Sequence, residues 1–124
     1  MTWATSTLAF SPADPVATVS CSGGTITNYT LNGTNYTAHI FTNSGTLTVL
    51  TGGEVEALVV GGGGGGGCTI AGGGGAGGLV YTNSLSLAAG PATIVVGTGG
   101  GGNQTGGWVQ GTNGSSSSLG TNLT

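Results

Sequence analysis

Glu54-Val-Glu-Ala-Leu-Val-Val-Gly-Gly-Gly-Gly-Gly-Gly-Gly-Cys-Thr-Ile70 is the stretch on which the fold turns. An apolar run able to form a strand enters seven consecutive glycines, Gly61 to Gly67, and β-forming residues return at once on the far side. Flexible tethers usually mix glycine with serine and join self-contained units. These tracts contain almost no serine, and they interrupt apolar segments too short to fold alone. The glycines are therefore expected inside the fold. Polyglycine can form an extended helix of three residues per turn with a rise of about 3.1 Å, so seven residues would span roughly 22 Å. Ordering glycine costs more backbone entropy than ordering any other residue. Lateral packing, chiefly between chains, must offset that cost.

Upstream of this stretch the sequence reads as β-sheet. Residues 1–22 form a lead-in arm, in which Ser11-Pro-Ala-Asp-Pro15 reads as a turn and Val16–Cys21 as a short strand. The arm either packs on the body or anchors to another subunit. Thr25–Leu31 alternates with period two, Asn32-Gly33 is the strongest short hairpin signal, and Thr34–Thr42 is the return strand. Pairing across that turn sets Leu31 beside Thr34 and Tyr29 beside Tyr36. Thr46–Leu50 follows, with Leu47 and Val49 on one face. Glu54–Val60 begins by alternating and becomes continuously apolar, as a strand does on passing into a fully buried setting.

Downstream, the tracts 72–75, 77–78 and 99–102 alternate with Leu79-Val-Tyr81, Leu85-Ser-Leu87 and Ala92–Val96. They show no fixed-period repeat. Ser84–Gly97 reads as two strands around a Gly90-Pro91 turn, and 103–124 as a polar tail. The fold class expected is all-β: an antiparallel sandwich or jelly-roll-like sheet over about residues 16–60, then a glycine-rich half with short strands and extended polyglycine. The domain plan is an arm (1–22) and one domain (23–124), divided into a sheet part (23–60) and a glycine-rich part (61–124).

Composition narrows the function. The 124 residues include 30 glycines, no Lys or Arg, three acids and one His, for a net charge of -3. A chain without cations cannot neutralise phosphates, which excludes nucleic acid and anionic lipid surfaces as partners. No apolar run reaches the roughly 20 residues of a membrane helix, and residues 1–10 lack the charged and apolar regions of a signal peptide. A β-rich chain this close to uncharged is prone to associate with itself. Cys21 and Cys68 are too few for a disulfide scaffold. Paired, they would close a long loop worth roughly 4 kcal/mol, as expected of a secreted protein; in a protein assembled inside a cell they would stay as small buried thiols.

Catalysis is not expected. His39 would need a nucleophile and an acid beside it, and it reads instead as a strand residue with a satisfied hydrogen bond. Glu54 and Glu56 share a strand face but lack the supporting groups of a glycosidase pair. The scattered acids make a poor calcium site. Gly61–Gly67 lacks the Lys-Ser/Thr element of a phosphate loop. No cofactor or metal is implied. Trp108, flanked by Asn103, Gln104, Thr105, Gln110, Thr112 and Asn113, has the ingredients of a sugar platform or of a subunit contact. Tyr29 and Tyr36 offer a second stacking surface.

His39-Ile-Phe-Thr-Asn-Ser-Gly-Thr-Leu-Thr-Val49 and Val55-Glu-Ala-Leu-Val-Val-Gly61 onward resemble the glycine-rich domain of bacteriophage tail-fibre and other virion-associated proteins. So do Gly72–Val80 and Leu85–Gly97, and the order and spacing match over roughly residues 36–120. The resemblance implies a β-rich, usually oligomeric module of a virion or extracellular fibre, sometimes near the host-recognition tip. Members often continue past Ser115–Gly120 into a further glycine tract, whereas this sequence ends at Thr124, which leads us to expect a core completed by neighbouring copies. The expectation is a homo-oligomer, a trimer favoured, on a virion surface after assembly in the host cytoplasm. Its partners would be other virion proteins and a host surface glycan. The rival readings are a carbohydrate-binding adhesin and a secreted bacterial matrix or filament protein, the latter outside the cell.

Overall fold

The computed structural model describes residues 2–7 (as backbone), 18–68, 70–103, 109–120 and 123–124. Nine strands are described: β1 (Thr2–Thr7), β2 (Ser20–Ser22), β3 (Thr25–Leu31), β4 (Thr34–Ile40), β5 (Gly45–Thr51), β6 (Gly53–Val60), β7 (Leu79–Leu87), β8 (Gly90–Val95) and β9 (Ser118–Leu119). The protein is all-β. One sheet has the order β3-β4-β1-β6-β7 and the other β2-β5-β8-β9, with every pairing antiparallel.

Period-two alternation builds the space between the sheets. Val55, Ala57 and Val59 point inward from β6, and Leu47 and Val49 from β5. Val55, Ala57, Leu47 and Val49 meet Phe41, Leu87, Ile94 and Leu119 in one core drawn from both sheets, which makes the pair a sandwich. Leu47 and Ile94 are wholly buried, each stabilising the fold by about 1.5–3 kcal/mol. The β3–β4 hairpin follows from its turn: Asn32 (φ 51°) and Gly33 (φ 78°) both take positive φ, as a type I′ turn requires. Its register pairs Leu31 with Thr34 and Tyr29 with Tyr36, as the sequence predicts.

Four features differ from the sequence reading. The sheets are not confined to residues 16–60, because β1 enters from one side of that span and β7, β8 and β9 from the other. Thr2–Thr7 is an interior strand, paired to β4 from Thr2↔Ile40 to Thr7↔Asn35 and to β6 from Thr2↔Leu58 to Ala4↔Glu56. The two segments flanking Gly90-Pro91 do not pair with each other: β7 lies against β6 and β8 against β5, in opposite sheets. Gly90 and Pro91 begin β8 rather than forming the turn. Finally, β6 keeps alternating to its end, so Val60 is 40% exposed on the outer face instead of entering a fully buried run.

Leu47→Ala is expected to lower unfolding free energy by about 2–5 kcal/mol, read from urea titration followed by circular dichroism. A loss below about 1 kcal/mol would mean that the two sheets do not close on this residue.

Candidate functional site: a polyglycine bundle continuing the sandwich

β6 and β8 do not end in loops. Each runs on into an extended glycine segment, and two further segments return to start β7 and β9. We denote them g1 (61–68), g2 (72–78), g3 (97–103) and g4 (109–115). Backbone bonds leave g1 in three directions with a repeat of three residues. The amides of Gly61, Gly64 and Gly67 donate to the carbonyls of Gly78, Gly75 and Gly72 in g2, at 2.8, 2.9 and 3.3 Å. Those of Gly62, Gly65 and Cys68 donate to Ser115, Thr112 and Val109 in g4, at 2.9, 2.9 and 3.2 Å. The carbonyls of Gly63 and Gly66 accept from Gly100 and Asn103 in g3, at 2.7 and 3.2 Å. A chain whose successive residues face three neighbours in turn has three residues per turn, which is the polyglycine form of the extended helix.

The bundle inherits its registers from the sheets. Val60 pairs with Leu79 at the end of the β6–β7 ladder, and Gly61 bonds to Gly78 one step further on. Val95 pairs with Ser118 at the end of β8–β9, and the g3–g4 pair continues with Ser115 donating to Thr98 (2.9 Å) and Thr112 to Gly101 (3.0 Å). Thus g1–g2 prolongs one sheet and g3–g4 the other. In the sandwich, facing sheets lie about 10 Å apart with side chains between them. In the bundle the side chains are gone, and the two layers bond directly through g1. Ser117, 2% exposed, bridges the transition: its Oγ donates to the Val60 carbonyl (2.7 Å) and accepts from the Gly97 amide (2.8 Å).

This packing requires glycine at every third position. A Cβ on Gly62 or Gly65 would strike the carbonyls of Thr98 or Gly101. One on Gly74 or Gly77 would strike Gly64 or Gly61, and one on Gly97 or Gly100 would strike Ser115 or Thr112. Gly111 and Gly114 meet Gly65 and Gly62 in the same way. At each site a Cα–H faces a carbonyl, a weak bond that adds to the N–H set. Most positions between have room for a side chain, Gly63 and Gly67 being tighter, and two of these side chains join in. Thr112 Oγ1 accepts from the Gly101 amide and Ser115 Oγ from the Thr98 amide, both at 2.8 Å. The stretch read as a polar tail therefore supplies g4. Its signal was Gly111-Thr-Asn-Gly114, which preserves the required spacing once the permissive glycines are replaced.

The candidate side chains sit on different elements. Tyr29 and Tyr36 stack on the hairpin, with ring centroids 5.1 Å apart and planes 10° from parallel. Burial, then the charge of Glu56 and the neighbouring phenols Tyr36 and Tyr81, push the Tyr29 phenol up. Asn103 ends g3, Gln110 is exposed near the start of g4, and Trp108 lies outside the described residues. His39 is 1% exposed and donates through Nδ1 to the Gly23 carbonyl at 2.8 Å. Glu54 is exposed and accepts from Ser84 Oγ at 3.2 Å. Cys21 and Cys68 are half-buried thiols, and burial pushes Cys21 up from its ordinary range. Among the described residues no three His, Cys, Asp or Glu side chains gather as metal ligands.

Comparison with known proteins accords with this geometry. The family model described as a glycine-rich domain matches residues 37–124, from β4 to the last residue, and the chain belongs to that family. No curated protein matches the chain, and no solved structure does.

The bundle predicts a three-residue period in alanine tolerance. Gly62→Ala and Gly65→Ala are expected to cost at least about 3 kcal/mol, because backbone rather than a movable side chain blocks the methyl. Gly73→Ala, with open space around it within one copy, is expected to be neutral or to stabilise the dissociated chain by about 0.4–1 kcal/mol. Thermal melts of the three variants check the contrast, and equal effects would contradict the packing.

Proposed function

We propose that this member of the glycine-rich domain family is a structural protein of a bacteriophage particle. It would serve as a fibre or surface-decoration module that works through homo-oligomeric assembly. The observation that carries the assembly is the open side of the bundle. In g2 only Gly74 and Gly77 are required by neighbours, yet Gly72, Gly73, Gly75 and Gly78 have nothing within 4 Å of where a Cβ would stand. Holding four such glycines in order costs the chain about 2–4 kcal/mol relative to alanine. The fold of one copy does not use that concession. A partner backbone pressed against g2 would use it, since only a Cβ-free surface admits close approach. The g2 amides also lack backbone partners among the described residues, so this edge can extend the lattice as a sheet edge extends a sheet.

The mechanism is mechanical. The sandwich builds the subunit, and the polyglycine bundle packs within and between subunits. The virion setting rests on the resemblance of the stretches around β5, β6, g2 and β8 to tail-fibre and virion-associated glycine-rich domains. A cation-free surface with a net charge of -3 suits a particle exterior that must not adhere to nucleic acid during assembly.

Native mass determination is expected to return a multiple of the chain mass. Gly73→Val with Gly75→Val should weaken that association tenfold or more while leaving the circular dichroism spectrum unchanged. Immunogold electron microscopy of producing cultures should label particle surfaces. Label confined to the cell envelope or to free filaments would replace the virion with a bacterial matrix protein.

A further inference from the structure

We propose that the space between β4 and β6 is a strand-acceptor slot that takes Thr2–Thr7 from a second copy of the chain, so that exchanged β1 strands tie subunits together. The proposal rests on the homo-oligomeric reading above and adds the surface that joins the copies. Its first ground is the position of β1. The strand is not at an edge: it is hydrogen-bonded on both sides, to β4 along its whole length and to β6 over Thr2–Ala4. Without it, β4 and β6 would face each other with open backbone edges. Their inward side chains, His39 from one and Val55, Ala57 and Val59 from the other, belong to the buried interior. The slot has to be filled for the sheet to exist, and the strand whose register fits it is carried by every copy.

The second ground is connectivity. The consecutive strands that follow, β2 to β6, are joined by short connections, among them Asn32-Gly33 between β3 and β4 and Gly52 between β5 and β6. Twelve residues, 8–19, separate β1 from β2, against a common loop length of about 2–6. Their contour reaches about 40 Å. Within one chain the gap is far shorter. β1 leaves β6 at Ala4↔Glu56, three residues short of Gly53, and the side chain of Val19 lies against Gly53. A connection so much longer than its gap can reach the slot of an adjoining copy. Exchange preserves every β1 pair, and its cost is confined to loop closure, which grows only as the logarithm of length.

Ala4 and Ala38 are direct cross-strand partners, at a Cα separation that suits a disulfide. With Cys21 and Cys68 replaced by serine throughout, Ala4→Cys and Ala38→Cys are placed on separate, differently tagged chains and co-expressed. A disulfide between the two tags is expected under oxidation, because only a strand given to another copy can form it. The double variant Ala4→Cys/Ala38→Cys should correspondingly run as linked multimers. If the double variant closes only on itself and the single variants never link, exchange is overturned. Native mass then separates two cases: an oligomer leaves the assembly reading standing, and a monomer removes both. If neither arrangement forms a disulfide, β1 does not occupy the slot at all.

Discussion

Everything in this molecule depends on one backbone constraint: g1 must satisfy neighbours in three directions with no side chain in the way. Its amides alternate between g2 and g4, and its Gly63 and Gly66 carbonyls hold g3. A β-strand has its hydrogen-bonding groups in one plane and cannot do this. Three residues per turn can, and glycine alone lets the neighbouring backbones come close enough. The entropic cost of ordering so many glycines is met by a dense set of backbone bonds and Cα–H contacts, not by burial of apolar surface.

The sandwich makes that arrangement reachable. Free polyglycine would have to find its register among many equivalents, since every residue is alike. Here the registers are set before the glycines begin. The β6–β7 ladder beyond its register shift, from Ala57↔Thr82 to Val60↔Leu79, delivers Gly61 opposite Gly78, and β8–β9 delivers g3 opposite g4. Ser117 ties the two layers together where they converge. Side-chain packing chooses the alignment in one half, and backbone bonding exploits it in the other. A substitution at Leu47 or Ile94 should therefore disturb the bundle as well as the sheets.

Much of the sheet was legible because its signals are local. Asn32-Gly33 specifies its turn by φ alone, and Leu47/Val49 and Val55/Ala57 by alternation. What escaped was non-local. Nothing in Leu85–Val96 tells two paired strands from two strands sent to opposite sheets, because β7 and β8 choose partners already built upstream. Nothing in Thr2–Thr7 announces an interior strand, since the slot between β4 and β6 exists only in three dimensions. The glycine-rich half reads as structured from its lack of serine, but its period is hidden. Required glycines at 62 and 65 sit among permissive ones, and only g4, where Thr, Asn and Ser replace the permissive residues, exposes the spacing.

Amide hydrogen exchange across the glycine tract, resolved residue by residue by NMR, tests the central claim most directly. The three-direction scheme predicts slow exchange at Gly61, Gly62, Gly64 and Gly65, whose amides donate to g2 and g4. It predicts faster exchange at Gly63 and Gly66, which hold g3 through their carbonyls and have no backbone acceptor among the described residues. Uniformly fast exchange from Gly61 to Gly67 would contradict it and return the tract to the status of a tether.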